Sequence, residues 1–250
     1  MVKHLIIRTL VVSWIFWRYF LPWCFLRKRR PQLLRSAFER LGATYIKLGQ
    51  IIASSPGLFP EEYSEEFQKC LDRVPAFTFD EVRRIVRSET GNSIDDVFQS
   101  VDETPLAAAS IAQVHAATLQ DGTDVVIKVQ RPNIGDRVRA DMWFIRKGAR
   151  IAEFFFRIAR LANLTGVVDD FSTTIKEELD FRSEGRNMDE FNEIMRKHSF
   201  DEQVVAPKVY WDFTTERLLC MERFYGIKAD DVEAAQAQGI DTEKWLRIGM

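Results

Sequence analysis

The sequence contains few residues that support metal, disulfide or histidine chemistry. Among its 250 residues are 3 cysteines and 3 histidines. Cys24, Cys70 and Cys220 are too far apart for a zinc motif, and their odd number gives no disulfide framework. We therefore expect ordinary thiols in a reducing compartment and no metal site within the chain.

The N-terminus lacks an apolar run that is long enough to cross a membrane as a simple helix. Residues 5–26 are rich in large apolar side chains, but Arg8 and Arg18 interrupt them, so that the longest uncharged stretch is residues 9–17. A spanning helix needs about 20 mostly apolar residues. No small-residue cleavage site follows, which argues against a secretory signal.

Acidic residues are also missing from the first 36 positions. That segment carries a charge of +8, so the remaining residues must carry −10 to give the net −2, a balance that does not favour nucleic-acid binding.

Trp14, Trp17 and Trp23 precede four consecutive basic residues at 27–30. This pattern is typical of a helix in the lipid headgroup region, with the basic cluster on the cytoplasmic side. Residues 1–30 are therefore predicted to associate with an anionic membrane surface, here the cytoplasmic face of a bacterial inner membrane. The alternative is an amphipathic helix docked on the protein's own core.

Residues 31–90 are predicted to form a helical module. Apolar residues recur there at three- and four-residue steps. Lys47 and Gln50 are three positions apart and so project from one side of a helix. Gly49 between them leaves room for another chain segment or a ligand. A solvated lysine is the default interpretation of this motif taken alone.

Residues 91–228 are predicted to contain a β-sheet. Strands at 111–118 and 125–130 are joined by a turn whose Asp-Gly pair favours positive φ, and further strands are expected at 204–212 and 218–222. Lys128 lies in the middle of a β-branched strand, on the same face as Val126, so its side chain needs an anionic partner. In protein kinases the lysine of such a strand pairs with nucleotide phosphates and a helix glutamate. A lysine at the edge of the sheet is the alternative.

Two long helices are predicted between these strands. The first, at 138–164, has an amphipathic pattern that indicates packing in the core, and the second runs over about 168–198. Glu177, Asp180, Glu184 and Asn187 would form one polar stripe along the second helix. Such a stripe is by default the solvated face of the helix.

Several segments, in the right order, resemble landmarks of the UbiB/AarF family of atypical kinases. They are Tyr-Ile-Lys-Leu-Gly-Gln at 45–50 (the KxGQ motif), Leu-Asp-Arg-Val-Pro at 71–75, the alanine-rich loop Ala107, Ala108, Ala109 and Ser110, Val-Val-Ile-Lys at 125–128, the ExD segment at 178–187 and Met-Glu-Arg-Phe at 221–224. Alanines stand where ordinary kinases have phosphate-binding glycines. The resemblance covers residues 36 to 250.

The resemblance implies roles for individual residues. Glu184 would hold Lys128 toward the phosphates of ATP or ADP. Glu178 and Asp180 would face the helix of Lys47 and Gln50 across the nucleotide site. Adenine would bind to backbone groups of the hinge, with the bulky Val126 near its ring; the hinge residues are Met221 at the rear of the pocket, Glu222 and Phe224.

The implied fold is α+β, a kinase-like N-terminal lobe with a five-stranded antiparallel sheet and a helix, preceded by the KxGQ module. No His-x-Asp motif and no Asp-Phe-Gly occur in the sequence, and these motifs contribute the magnesium ligands of kinases. Residues 229–250 are expected to begin the helices of a second lobe. We therefore expect a truncated fragment without meaningful turnover of its own, and whether it counts as an enzyme stays open.

Three hypotheses follow. The first is the ATP- or ADP-binding part of a membrane-associated UbiB/AarF-like kinase or ATPase, linked to quinone or lipid metabolism, with a quinone or another lipid as a further partner. The second is a non-catalytic membrane-binding scaffold on a degenerate kinase lobe. The third is an unrelated helical membrane-surface protein, which requires the motif matches to be chance.

Overall fold

The computed structural model describes residues 2–55, 57, 59–70, 75–227 and 231–239, with side chains from residue 8 onward. Five helices come first, and a sheet with flanking helices follows, so the α+β class is confirmed. The first helices are α1 (Val2–Phe25), α2 (Arg30–Leu41), α3 (Ala43–Ser54), α4 (Glu61–Gln68) and α5 (Phe79–Thr90). The residues at 71–74 of the predicted Leu-Asp-Arg-Val-Pro landmark lie outside the described part of the chain.

The second part of the chain contains five strands and six helices among the described residues. They are α6 (Ile94–Val97), β1 (Phe98–Val101), β2 (Ala107–Ala108), β3 (Ala112–Leu119), β4 (Asp124–Gln130), α7 (Ile134–Phe155), α8 (Arg157–Leu161), α9 (Leu164–Glu178), α10 (Phe181–Lys197), β5 (Leu218–Glu222) and α11 (Val232–Ala237). Short 3-10 helices occupy Arg27–Arg29 and Trp211–Phe213.

All strand pairs of the sheet are antiparallel. The strand order is β1-β3-β4-β5, and β2 pairs with β3 as well. The predicted Asp-Gly turn joins β3 to β4, with Gly122 at a φ of +86° and the Leu119 N–H donating to the Thr123 carbonyl over 2.9 Å. This turn sets the register that brings Lys128 of β4 opposite Val114 of β3.

One face of the sheet is closed by α5. Val125, Ile127 and Val129 of β4 are fully buried there, together with Val82 and Val86 of α5. Val126 and Lys128, which alternate with them, are half-buried on the opposite face. The predicted alternation of β4 is therefore confirmed, and it leaves Lys128 on the face that α10 covers.

The predicted strand at 204–212 is wrong. The segment meets the sheet only around Val209, through an isolated bridge to Met221 and the backbone hydrogen bonds of the flanking Lys208 and Tyr210 to β5. Pro207 has no N–H to donate to a sheet. The backbone of Ala206 is bound instead by the side chain of Asn192 on α10, over 2.8 and 3.0 Å. The fifth strand is β2, in the segment predicted to be the alanine-rich loop.

The predicted helix at 168–198 is two helices. A break after Glu178 separates α9 from α10, and Asp180 is the N-cap of α10, where its carboxylate accepts the Arg182 N–H over 3.1 Å. The predicted polar stripe therefore does not lie along one helix. The helix predicted at 138–164 is likewise divided, into α7 and the short α8.

One face of α1 packs on the rest of the chain. Arg8 forms a two-pronged ion pair with the buried Asp141 of α7, with nitrogen–oxygen distances of 2.5 and 2.8 Å. The Thr44 hydroxyl donates to the same carboxylate over 2.8 Å, and Ile15 is buried further along α1. The opposite face exposes large apolar side chains such as Trp14 and Trp17. No helix among the described residues is long and apolar enough to cross a membrane.

Candidate nucleotide site

Lys128 and Glu184 form an ion pair on the face of the sheet opposite α5. The ammonium Nζ of Lys128 lies 2.7 and 2.9 Å from the two carboxylate oxygens of Glu184. The side chains are 22% and 36% exposed, so the pair can be reached from solvent. Lys128 also lies over the buried ring of Phe181, 4.9 Å from its centre. The predicted strand lysine and helix glutamate are thus brought together.

The register of the sheet arranges the other predicted site residues around Lys128. Ala107, Val114, Lys128 and Leu219 follow one another across four strands. Val126 lies two positions before Lys128 on β4 and is paired with Met221 of β5. Both side chains are half-buried. Residues two apart on a strand share a face. Val126 and Met221 therefore form an apolar surface beside Lys128.

A second lysine–glutamate pair connects the KxGQ helix to the end of α9. The Lys47 Nζ lies 2.7 Å from Oε1 of Glu178. The Oε2 of Glu178 is buried and accepts no hydrogen bond from any described residue. Gln50 lies one turn further along α3 and is half-buried. Glu178 and Glu184, one member of each pair, line one cavity of about 520 Å³ between α9 and α10.

Asp180 lies between these pairs in the sequence but has a local partner. Its carboxylate binds the Arg182 guanidinium over 2.8 Å besides capping α10, and this bond to Arg182 lowers the pKa of Asp180. On an ideal helix residues two apart point in different directions, and the break at Leu179 increases the separation. The structure therefore brings Glu178, but not Asp180, against the KxGQ helix.

The alanine-rich segment forms a tight hairpin rather than an open loop. β2 pairs with β3, and the Ala109 N–H donates to the Ala112 carbonyl over 2.8 Å. Ala107 and Ala109 are exposed, whereas Ser110 is buried. The Arg131 guanidinium donates to the carbonyls of Ala109 and Pro75, each over 2.9 Å. Arg131 thereby fixes the hairpin to the segment after residue 74.

The predicted hinge lies at the end of β5. The Glu222 N–H donates to the Lys208 carbonyl over 2.8 Å, so this donor already has a partner. The Glu222 carboxylate accepts the Lys208 N–H over 3.2 Å. Phe224 follows the strand and is 52% exposed. Of the Glu222 backbone groups, the carbonyl is the one left for an adenine contact.

The sequence analysis did not identify two residues that position the elements of the site. The Gln130 side chain donates to the Leu179 carbonyl over 2.7 Å and so ties the end of β4 to the break before α10. Phe181 begins α10, and its N–H donates to the Glu216 carbonyl over 3.0 Å. Gln130 could have been identified from the sequence, because it is a polar residue that continues an apolar strand and, if buried, needs a hydrogen-bond partner. In the structure it is 5% exposed.

A five-stranded antiparallel sheet whose central lysine is held by a helix glutamate defines the N-terminal lobe of a kinase-like protein. The chain belongs to the ABC1 atypical kinase-like family, because the model of the ABC1 atypical kinase-like domain matches residues 69–250. The helices α1 to α4, with the KxGQ motif in α3, precede that match.

Curated relatives and a solved structure support the assignment. An uncharacterized aarF domain-containing protein kinase of the chloroplast of Arabidopsis thaliana is 45% identical over 83% of this chain and 38% of its own length. A probable protein kinase UbiB of Azotobacter vinelandii is 37% identical over 93% of this chain and 44% of its own length. The structure of the Rv3197–erythromycin complex from Mycobacterium tuberculosis matches with a TM-score of 0.53 and 25% identity, over 83% of this chain and 51% of that one. The chain therefore spans less than half the length of these two curated relatives.

Proposed function

We propose that this chain is the ATP- or ADP-binding part of a membrane-associated UbiB/AarF-like kinase or ATPase with a role in quinone or lipid metabolism. The ion pair between Lys128 and Glu184 carries the proposal. In kinases such a pair must be formed for the lysine to contact the nucleotide phosphates. The link to quinones rests on the likeness to proteins named UbiB.

The surroundings of Lys128 suit a nucleotide. Triphosphate oxygens would bind the Lys128 ammonium beside the alanine hairpin, whose exposed Ala107 and Ala109 flank the same end of the sheet. The adenine ring would lie against Val126 and Met221 and bond to the backbone of Glu222 and Phe224. Because Val126 is bulkier than alanine, the adenine ring would be shifted from the position that it takes in kinases with alanine at this point of the strand.

Magnesium would accompany the nucleotide in the whole protein, where it neutralises charge on the phosphates. Among the described residues no group of three or more histidine, cysteine, aspartate or glutamate side chains is placed to hold a metal ion. The residues of this chain would supply the lysine that binds the phosphates and the surface for the base.

Nucleotide binding is tested by thermal unfolding. ATP or ADP should raise the melting temperature of the 250-residue chain, because a ligand that binds only the folded state stabilises it. Lys128→Ala should abolish the shift, whereas Lys197→Ala, an exposed lysine at the end of α10, should retain it. An equal shift in the Lys128→Ala variant would contradict the assignment.

Membrane association belongs to the same proposal, at the cytoplasmic face of a bacterial inner membrane. Its support is the exposed face of α1, where Trp17 is 62% and Phe25 82% exposed ahead of the basic residues 27–30. Aromatic side chains flanked by basic ones favour the headgroup region of anionic membranes. This face also favours the second candidate, a membrane-binding scaffold, which predicts vesicle binding without any nucleotide-dependent shift.

A further inference from the structure

The end of α7 and the following α8 expose a second group of large apolar side chains. Their exposed fractions range from 62% for Phe156 to 78% for Ile158. We call these residues the apolar tip: Phe154, Phe155, Phe156, Ile158 and Leu161. Single exposed apolar residues are common on protein surfaces, but a contiguous group of this size marks an interaction surface.

The apolar tip is surrounded by positive charge. Lys147, Arg150, Arg157 and Arg160 are all exposed next to it. The one acid within residues 146–161 is Glu153, and its carboxylate accepts both the N–H and the hydroxyl of Thr165, each over 2.7 Å. Glu153 thus stabilises the start of α9, and its single carboxylate offsets only part of the charge of the four cations. The surface is therefore apolar at its centre and basic at its rim.

The apolar tip lies at the same end of the molecule as the end of α1. Arg8 of α1 pairs with Asp141 of α7, and further along both helices Phe20 and Ile151 line one apolar groove of about 620 Å³. The two helices therefore run in the same direction. At this end α1 finishes with Phe25 and is followed by the basic residues 27–30. The apolar tip begins at the end of α7 and continues into α8.

We propose that the apolar tip is a second membrane-binding element, which inserts into the headgroup region of an anionic bilayer beside the end of α1. This inference rests on the proposed membrane association and names residues outside α1 that carry it. A bilayer fits the surface because aromatic rings favour the interface and the basic rim complements anionic headgroups. A protein partner would need carboxylates arranged around an apolar pocket to match the same surface.

Co-sedimentation of the 250-residue chain with vesicles tests the proposal. Wild type should bind vesicles of phosphatidylcholine with phosphatidylglycerol more strongly than phosphatidylcholine alone. The double variant Phe154→Ser/Phe155→Ser should bind anionic vesicles at least about tenfold more weakly, because it loses two interfacial aromatic side chains. Phe200→Ser, which removes an aromatic ring that is 47% exposed beyond the end of α10, should bind like wild type.

A labelling experiment reports on insertion even if the double variant is unstable. Cys24 is the exposed cysteine among the described residues, while Cys70 and Cys220 are buried, so Cys24→Ser/Phe155→Cys accepts a fluorophore at one position. Anionic vesicles should shift the emission of an environment-sensitive dye to the blue, and brominated lipid should quench it. The same label at position 200 should not respond.

The outcomes separate this inference from the proposed function. Equal vesicle binding by wild type and Phe154→Ser/Phe155→Ser, or a label at 155 that does not respond, would overturn the apolar tip and leave membrane binding to α1. Absence of vesicle binding by wild type would overturn both membrane claims, whereas nucleotide binding is measured independently. A lower oligomeric mass of the double variant in light scattering would assign the surface to a second copy of the chain.

Discussion

Gly49 of the KxGQ motif is required by packing inside the helical module. A Cβ at this position would lie 2.6 Å from the Phe67 ring of α4, closer than real Cβ contacts allow. Phe67 is 1% exposed and cannot move into solvent. The sequence indicated that something approaches Gly49, and the structure identifies it as the side chain of Phe67.

Gly49→Ala should therefore lower the free energy of unfolding by about 1–3 kcal/mol, as overpacking of a core does. Gly148→Ala is the matched control, because nothing lies within 4 Å of its added Cβ in the middle of α7. The control should gain about 0.5–1 kcal/mol from the lower entropy of the unfolded chain. Urea denaturation of both variants measures the difference, and a stabilised Gly49→Ala would disprove the packing claim.

His115 is a buried polar residue that belongs to the scaffold of the lobe. Its Nδ1 donates to the Asp102 carbonyl over 2.7 Å, so its Nε2 accepts from the Gln113 amide over 2.8 Å. Gln113 in turn accepts the Phe77 N–H over 3.0 Å. This network ties β3 to the segment before α5 and needs a neutral imidazole.

Burial lowers the pKa of His115 below its ordinary value of 6.5. The folded state thus binds this proton less tightly than the unfolded state, so its contribution to stability is complete above pH 6.5 and is lost as the pH falls below it. Thermal unfolding between about pH 7.5 and pH 5 should show a smaller loss in His115→Gln than in wild type. A loss in His115→Gln as large as that of wild type would refute the assignment.

At the scale of elements, the docking of α1 depends on a buried charge. Asp141 is 1% exposed, and burial raises its pKa while the bonds from Arg8 and Thr44 partly offset that effect. Removing one partner of a buried pair leaves the other charge without compensation, whereas removing both is far less costly. The attachment of α1 can therefore be tested separately from its membrane face.

Asp141→Asn should cost about 3 kcal/mol in the free energy of unfolding. The double variant Arg8→Gln/Asp141→Asn should recover at least half of that loss. Arg83→Gln breaks the exposed pair with Glu103, in which the side chains are 51% and 68% exposed, and should change stability by less than about 0.5 kcal/mol. Additive effects of the two changes at Arg8 and Asp141 would show that the pair does not hold α1.

Elements with local signals were predictable from the sequence. The Asp-Gly turn and the β-branched run fixed β3, β4 and the face of Lys128. The break before α10 was missed because residues 168–198 form a continuous polar–apolar pattern, and a single Asp cap is a weak signal within it. The strand at 204–212 was wrong because β-branched residues favour strands. Pro207 and the Asn192 side chain, a contact distant in sequence, restrict the pairing to the short stretch around Val209.

At the scale of the whole molecule, the glutamates of two lysine–glutamate pairs line one cavity. Lys128 comes from the sheet and Lys47 from the helical module, and their partners flank the α9–α10 break. The pairing of Lys47 with Glu178 depends on chain segments 131 positions apart, which periodicity alone could not reveal. The family resemblance supplied that expectation. Nucleotide binding at Lys128 is the central claim that follows from it.

A calorimetric titration of the 250-residue chain with ATP tests that claim most directly. Wild type should bind one equivalent. Glu184→Gln should weaken binding at least about tenfold, because a charge-assisted hydrogen bond that orients Lys128 is worth about 1.5–3 kcal/mol. Asp189→Asn on the next turns of α10, away from Lys128, should bind like wild type. Absence of ATP binding by wild type, or equal affinity in Glu184→Gln, would contradict a nucleotide site built on Lys128.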